Sequence, residues 1–385
     1  MVLGPVGQPR PAGPGGQADP GLEQVPARRR DRRHLRHQAA NSLAGDAYIP
    51  DVSCINSNCS LYFPNEELFT DLNQFGAAEA KSDYYGWKWQ LGTTPSQRFC
   101  FWPMDIGPTG LYYRSDLFAK AGLPFDPAEV SAAIRTWPDL LELGSKLRTD
   151  GKAALVVNAG TIFTQYLNAS ATRYFDAGNK PLYEKAGNAV KAAWDTAVAA
   201  IRAKITGNLQ TSTDQNAAWV SGQVAGNIEA VWWAEILKDT APDTKGKWRL
   251  ASQPEKPGNS GGSFLTVPTT SKDPQAAVDF IRWLTSAQNQ AATFNKIQLF
   301  PSTPASFSSG VMKSEGGFFG SQDPLVFFSK AAEQVPTTYV STYEAQATSF
   351  ATEIINVESA GKNPDQAWQD AVDQTNRVLT KRGVI

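Results

Sequence analysis

The sequence predicts an α/β protein with more than one folding unit, and three observations support that class. The chain has 385 residues, which exceeds the size of one ordinary hydrophobic core. Residues 101–122 read as a turn rich in proline and glycine, a short strand at 111–113, and a helix that begins near Ser115 and ends at Gly122. Apolar residues recur at helical spacing in several later segments. Strand and helix patterns thus alternate, as in sheets flanked by helices.

The later segments extend this pattern in chain order. Thr136 caps a helix that reaches Leu147, and residues 154–158 form a short buried strand. Beyond them we expect an amphipathic helix at 186–204, a helix, turn and buried strand within 217–237, an edge strand at 248–254, a strand at 264–267, and helices that begin at Asp273 and Asn363. The helix after Asp273 should bury Ala277, Phe280, Ile281 and Leu284.

Composition excludes some functions and favours one kind of binding surface. The net charge is −1 and charged residues make up 19% of the chain, so we expect no broad electrostatic surface for nucleic acid or for an anionic membrane. Eleven tryptophans suit either a large core or stacking surfaces for ring-shaped ligands, because aromatic faces pack against the C–H faces of sugars. No apolar run reaches the roughly 18 residues of a transmembrane helix.

The sequence carries little catalytic or metal-binding apparatus. Its two histidines are His34 and His37, close to the N-terminus, and its three cysteines are Cys54, Cys59 and Cys100. Cys54 and Cys59 could pair only in a tight loop, and no zinc-binding spacing is present. The chain also lacks a Walker loop, a dinucleotide-binding glycine motif, a zinc-protease helix motif and a nucleophile elbow. We therefore expect no catalytic residues, no metal and no cofactor.

Three segments resemble a known family. Residues 103–122 combine P-x-D-x-G-P with L-Y-Y and a D-L-F-x-K-A-G helix, which resembles a crossover segment of the extracellular sugar-binding proteins of ABC importers. Residues 217–237 resemble the family's helix, G-x-x-A turn, buried strand and tryptophan, and residues 261–303 resemble its return crossover. The resemblance extends over residues 41–385, and it is to family 1 of the extracellular solute-binding proteins, the maltose-binding-protein-like family.

The resemblance implies a two-lobe, type II periplasmic-binding-protein-like fold with mixed sheets flanked by helices and three hinge crossings. It places residues 41–108 and 264–303 in lobe 1, and residues 109–263 and 304–385 in lobe 2. It further implies a carbohydrate ligand in the cleft, closure by hinge bending, and delivery to the membrane permease of an ABC importer. We expect a monomer outside the cytoplasm, extracellular or periplasmic, with a lipid anchor left open.

The same resemblance marks candidate ligand-binding residues. Asp105 is expected to accept hydrogen bonds from sugar hydroxyls or to hold the hinge. Trp232 or Trp233 is expected to stack on a sugar, with packing of the pair in the core as the alternative. Glu229 fits a hydroxyl acceptor or a structural carboxylate. The other candidates, with ordinary loop or core roles as the alternative, are Asn56, Tyr166, Gly261, Gly262, Ser263 and Tyr343.

Two other interpretations stay open. Asp105 and Glu229 could be the two carboxylates of a glycoside-processing enzyme, which would need them about 5 to 9.5 Å apart across the cleft. Alternatively the chain is a truncated copy without function, because the resemblance implies a signal peptide and a first strand, helix and strand that are not visible before residue 41.

The first 40 residues do not match the family pattern. They are dense in glycine and proline, carry a basic run at 28–36, and show neither helix nor strand periodicity. We predict a disordered tail here, and our hypothesis is that the upstream reading frame is wrong or truncated.

Overall fold

The computed structural model describes residues 49–314 and 316–385. The predictions for residues 1–40, including the disorder of that segment, lie outside the described residues. Within the described ranges, no helix is both long and apolar enough to cross a lipid bilayer.

Two antiparallel sheets form the centre of the molecule. The described strands are β1 (Ser53–Asn56), β2 (Trp102–Pro103), β3 (Thr109–Arg114), β4 (Gly226–Ala230), β5 (Trp248–Ala251) and β6 (Ser263–Thr266). The first sheet has the order β1-β6-β2, and the second has the order β4-β3-β5. Strand β3 lies in the middle of the second sheet with all its residues buried, which explains its apolar and aromatic composition.

Helices pack around both sheets. Helix α4 shows how the sequence sets their ends, because Thr136 and Asp139 form a complete capping box at its start. The helices are α1 (Gly86–Leu91), α2 (Ser115–Lys120), α3 (Pro127–Ala133), α4 (Trp137–Asp150), α5 (Ala159–Asn168), α6 (Ala189–Arg202), α7 (Ser212–Ser221), α8 (Trp233–Thr240), α9 (Pro274–Leu284), α10 (Ala287–Ile297), α11 (Pro304–Phe307), α12 (Pro324–Gln334), α13 (Ser349–Ala360) and α14 (Pro364–Lys381). Short 3-10 helices lie at Cys59–Leu61, Phe63–Leu68, Leu72–Phe75, Ala77–Asp83, Pro242–Thr244 and Glu344–Gln346.

Three connecting segments join the two halves of the molecule and lie side by side. The chain passes from β2 to β3, returns between β5 and β6, and passes again between α10 and α12, which packs on β3. Isolated antiparallel bridges pair Asp105 with Pro301 and Pro108 with Asn259. The first connection is therefore paired with each of the other two, and this pairing positions the polar residues that they carry.

The two halves differ in the size of their cores. The half that contains β3 has a large core that includes Tyr113, Trp194 and Phe350, and Trp233 belongs to a second aromatic core beside it. The half that contains β1 and β6 has smaller clusters, one of them around Trp102.

Most predicted elements are confirmed, and a few are corrected. Residues 154–158 make single bridges to two different neighbouring segments instead of a continuous strand. Phe280 was predicted to be buried but is 38% exposed, because Ala277, Val278 and Ile281 form the buried face of α9. Asn56, which we expected in a loop, is the last residue of β1.

Candidate functional site

Residues of the connections and of α1 form one polar cluster between the two sheets. We call it the hinge cluster and define it as Lys88, Asp105, Gly261, Gly262 and Ser263. Ser263 begins β6 and the glycines precede it. Three of the predicted site residues thus lie on the second connection and its exit, and Asp105 lies on the first.

Asp105 is buried, with 7% of its surface exposed. Its Oδ1 accepts the backbone N–H of Ser263 at 2.6 Å. Burial raises the pKa of the Asp105 carboxyl, while the charge of Lys88 and the Ser263 hydrogen bond act in the opposite direction. Asp105 therefore joins the first connection to β6.

Gly261 and Gly262 adopt left-handed backbone conformations, with φ of +86° and +79°, which favour glycine. A Cβ on Gly262 would lie 2.5 Å from the carbonyl oxygen of Asp105 and 2.8 Å from Nζ of Lys88. A Cβ on Gly261 would lie 2.9 Å from the indole nitrogen of Trp232. The two glycines therefore let the second connection approach the polar residues on one side and the tryptophan on the other.

Lys88 is a site residue that sequence reasoning missed. Its side chain is fully buried, and Nζ lies 3.7 Å from the centre of the Phe264 ring. Nζ has no hydrogen-bond partner. Burial lowers the pKa of Lys88 to about 8, although Asp105 favours its charged form. The one sequence signal was a lysine between Trp87 and Trp89, a segment that we interpreted as a loop and that is helix α1.

The adjacent tryptophans after β4 have different environments. Trp232 is 37% exposed, and its Nε1 donates a hydrogen bond to the carbonyl oxygen of Ser260 at 2.9 Å. Trp233 is 3% exposed and packs edge-to-face against Tyr112 and Trp219, at centroid distances of 4.7 and 4.8 Å. Core aromatics therefore cover the ring of Trp233, which favours the alternative of core packing for this residue. Trp232 is the residue of the pair that can offer a ring face to a ligand.

Glu229 lies on β4 near this turn. Its Oε1 accepts hydrogen bonds from Nε2 of Gln165 at 3.2 Å and from the N–H of Ala230 at 2.9 Å. Burial raises the pKa of the Glu229 carboxyl, against the effect of its hydrogen-bond donors. Gln165, which sequence reasoning also missed, is buried and joins α5 to the second sheet.

The remaining candidates lie at different distances from the hinge cluster. Asn56 is exposed and pairs in register with the first residue of β6. Tyr166 is half-buried and stacks on Trp137 at a centroid distance of 5.3 Å. Tyr343 is half-buried and contacts the edge of Phe175 at 6.5 Å. The structure therefore places Asn56 beside the hinge cluster, and it gives Tyr166 and Tyr343 aromatic neighbours outside it.

The two halves also touch outside the connections. The 3-10 helix Cys59–Leu61 packs against the 3-10 helix Glu344–Gln346, and Val340 packs on the cluster that includes Ile55.

A cavity of about 370 Å³ lies elsewhere, between α9, α10 and the 3-10 helix Ala77–Asp83. In residues 49–314 and 316–385, no group of His, Cys, Asp and Glu side chains could hold a metal ion.

The chain is similar to a curated protein and to solved structures. It is 28% identical over 246 residues to the lactose-binding protein of Rhizobium radiobacter, a match that covers 60% of this chain. The chain spans 56% of the length of that relative.

Two solved structures extend the likeness to most of the chain. A crystal structure of an extracellular solute-binding protein of family 1 has a TM-score of 0.85 and 26% identity, and the match covers 90% of each chain. The ABC transporter associated binding protein of B. animalis subsp. lactis Bl-04, solved in complex with β-1,6-galactobiose, has a TM-score of 0.71 and 22% identity, and covers 91% of each chain. These likenesses confirm the predicted two-lobe, type II periplasmic-binding-protein-like fold.

A family model extends the match to the hinge cluster. The model, described as bacterial extracellular solute-binding protein, matches residues 51–291, which is more than half of the 385 residues. The matched region contains both sheets, the hinge cluster and Trp232. The chain therefore belongs to the family of bacterial extracellular solute-binding proteins.

Proposed function

We propose that this chain is the sugar-binding subunit of an ABC importer, and that it binds a mono- or oligosaccharide between its two halves. One observation carries the proposal. The half-exposed ring of Trp232 lies against Gly261, and the neighbouring Gly262 lies against Asp105, a buried hydrogen-bond acceptor. Sugars present apolar C–H faces and hydroxyl groups, so a ring face beside an acceptor suits them.

The relatives indicate the size of the ligand. One is named a lactose-binding protein, and another was solved with β-1,6-galactobiose. Both sugars are neutral disaccharides. We take a neutral disaccharide as the first ligand class to test.

The mechanism is closure of two lobes about the three connections. Of the described residues, we assign 49–108 and 264–303 to lobe 1, and 109–263, 304–314 and 316–385 to lobe 2. A ligand that contacts both lobes stabilises the closed arrangement, because only that arrangement offers both sets of contacts. The closed monomer then delivers the sugar to the permease of the importer.

Family membership agrees with the predicted location outside the cytoplasm, since the family is described as extracellular. A lipid anchor stays a prediction.

Binding proceeds without chemical conversion in this proposal. Asp105 and Glu229, the candidate carboxylates for glycoside processing, each accept a backbone N–H, from Ser263 and Ala230. These contacts suit positioned acceptors. The same sugars tested for binding also test for turnover.

The experiment is a titration of the purified chain with lactose and with β-1,6-galactobiose, followed by intrinsic tryptophan fluorescence and calorimetry. We expect a saturable response, and we expect Trp232→Ala to weaken binding about tenfold through loss of an aromatic contact. Trp283→Ala is the matched control, because Trp283 is 62% exposed on α9 and should not change affinity.

Three outcomes would contradict the proposal. The first is no saturable response to either sugar from a sample that unfolds cooperatively, which would favour another ligand class. The second is equal affinity of Trp232→Ala and the unmodified chain. The third is formation of new sugars on incubation, abolished by Asp105→Asn or Glu229→Gln, which would establish a glycoside-processing enzyme.

A further inference from the structure

Lys88 is a fully buried ammonium group whose hydrogen-bonding capacity is unused. It lies on α1 with none of its surface exposed, and Nζ has no hydrogen-bond partner. Nζ lies 3.7 Å from the centre of the Phe264 ring and 2.8 Å from the position that a Cβ on Gly262 would take. A buried cation that donates no hydrogen bond is costly, so its position calls for an acceptor.

Asp105 is the acidic side chain that influences the ionisation of Lys88, but the two side chains do not form an ion pair. Each affects the ionisation of the other, yet no ion pair of 4.0 Å or less joins them. Cys54 and Cys59 also influence the ionisation of Lys88, and desolvation raises the pKa of their thiols to about 11 and 12. At neutral pH these thiols carry no charge, which leaves Lys88 and Asp105 as the two ionisable groups at this point.

We propose that Lys88 and Asp105 bind one hydroxyl group of the ligand between them, and that this pair selects neutral sugars over sugar acids. The inference rests on the proposed sugar-binding function. The hydroxyl oxygen accepts a hydrogen bond from Nζ, and the hydroxyl hydrogen is donated to the carboxylate. Gly262 makes room for this arrangement, because a Cβ there would lie only 2.8 Å from Nζ.

The chemistry of the pair explains the selectivity. A hydroxyl group is both donor and acceptor, so it satisfies both charged groups without adding charge. A ligand carboxylate would satisfy Lys88 but would be repelled by Asp105 at close range. The ammonium group of an amino sugar would satisfy Asp105 but would be repelled by Lys88 at close range.

The test compares Lys88→Met, Asp105→Asn and the unmodified chain in titrations with lactose, galactose and galacturonic acid. Met has nearly the length of Lys and removes the charge, so the fold should be retained. Lys81→Met is the matched control, because Lys81 is exposed on a neighbouring 3-10 helix. Thermal unfolding confirms that each variant is folded.

We expect Lys88→Met to weaken lactose binding about 10- to 100-fold, the usual effect of losing a hydrogen bond to a charged group. Lys81→Met should bind as the unmodified chain does. The unmodified chain should bind galactose more tightly than galacturonic acid. In Asp105→Asn the ratio of these two affinities should become smaller or reverse. Unchanged affinity in a folded Lys88→Met variant, or an unchanged preference in Asp105→Asn, would overturn the proposal.

A crystal structure of the ligand-free chain gives a test that needs no sugar. We expect an ordered water within hydrogen-bonding distance of both Nζ of Lys88 and the Asp105 carboxylate, because water has the same donor and acceptor properties as a hydroxyl group. A direct ion pair between the two side chains would overturn the proposal. If the unmodified chain binds none of the sugars, the proposed function fails. The crystal structure would still show whether Lys88 and Asp105 leave a gap that fits a hydroxyl group.

Discussion

The hinge cluster and the turn after β4 meet at Gly261, yet they are held in place by different interactions. The hinge cluster depends on backbone pairing, on two glycines with positive φ, and on buried charges. The turn after β4 depends on aromatic packing, since Trp233 is enclosed by Tyr112, Trp219 and Trp248. The comparison teaches that the buried tryptophan anchors this turn in the core, while its neighbour Trp232 keeps a half-exposed ring.

The largest expected effect separates the two tryptophans. Trp233→Ala should lower the free energy of unfolding by about 3–5 kcal/mol, because it leaves a cavity in an aromatic core. Trp232→Ala, as the matched control, should cost less than about 1 kcal/mol, because its ring is half-exposed. Urea denaturation measures both. Similar losses of unfolding free energy in the two variants would contradict the different roles of the two tryptophans.

The next effect concerns the hinge glycines. Gly262→Ala should destabilise the chain by about 2–3 kcal/mol, because it combines a left-handed backbone with a contact of 2.5 Å to the Asp105 carbonyl oxygen. Gly122→Ala is the control, since Gly122 also has a positive φ but no atom within 4 Å of its Cβ position. It should lose about 1 kcal/mol. If the two variants unfold at the same urea concentration, close packing at Gly262 has no energetic role.

Glu344 carries a third buried carboxyl group, which can be compared with that of Asp105. Both carboxylate oxygens of Glu344 are buried, and burial raises the pKa of Glu344 to about 7, against the effects of Arg173 and the Ser341 backbone. The folded chain therefore holds the proton more tightly than the unfolded chain, whose glutamate titrates near 4.5. This group should make the chain less stable as the pH rises from about 4.5 to 7.

Glu344→Gln should remove that loss. We expect the variant to exceed the unmodified chain in stability by about 3 kcal/mol at pH 8, with a smaller difference at pH 5. Urea denaturation at the two pH values measures the difference, which also cancels the contributions of Asp105 and Glu229. A constant difference between pH 5 and pH 8 would contradict the raised pKa.

The smallest expected effect is again at Trp232. Replacement by Phe should retain most of the sugar affinity, with a loss of less than about threefold, because a smaller ring still provides a stacking face. The hydrogen bond from its Nε1 to Ser260 is lost. Calorimetry with lactose measures the change. A loss as large as that of Trp232→Ala would show that the hydrogen bond, and not the ring face, matters for binding.

The sequence predicted the elements and the two-lobe fold better than it predicted the site. Capping residues and apolar periodicity are local, so the start of α4 at Trp137 and the strand at β3 could be read directly. The sequence could not show which of Trp232 and Trp233 is exposed, because the answer depends on how Trp219 and Trp248 pack from other elements. Lys88 was missed for the same reason, since its burial depends on Phe264, which is far away in sequence.

The lateral bridges between the connections have a mechanical consequence. Asp105 pairs with Pro301 and Pro108 pairs with Asn259, so the lobes are joined by one narrow ribbon and not by three separate tethers. Such a ribbon can bend about a line across it, and its lateral bridges resist sliding of one connection past another. Lobe motion should therefore reduce to one angle, so that two fluorescent labels, one on each lobe, would report the same opening coordinate wherever they are attached.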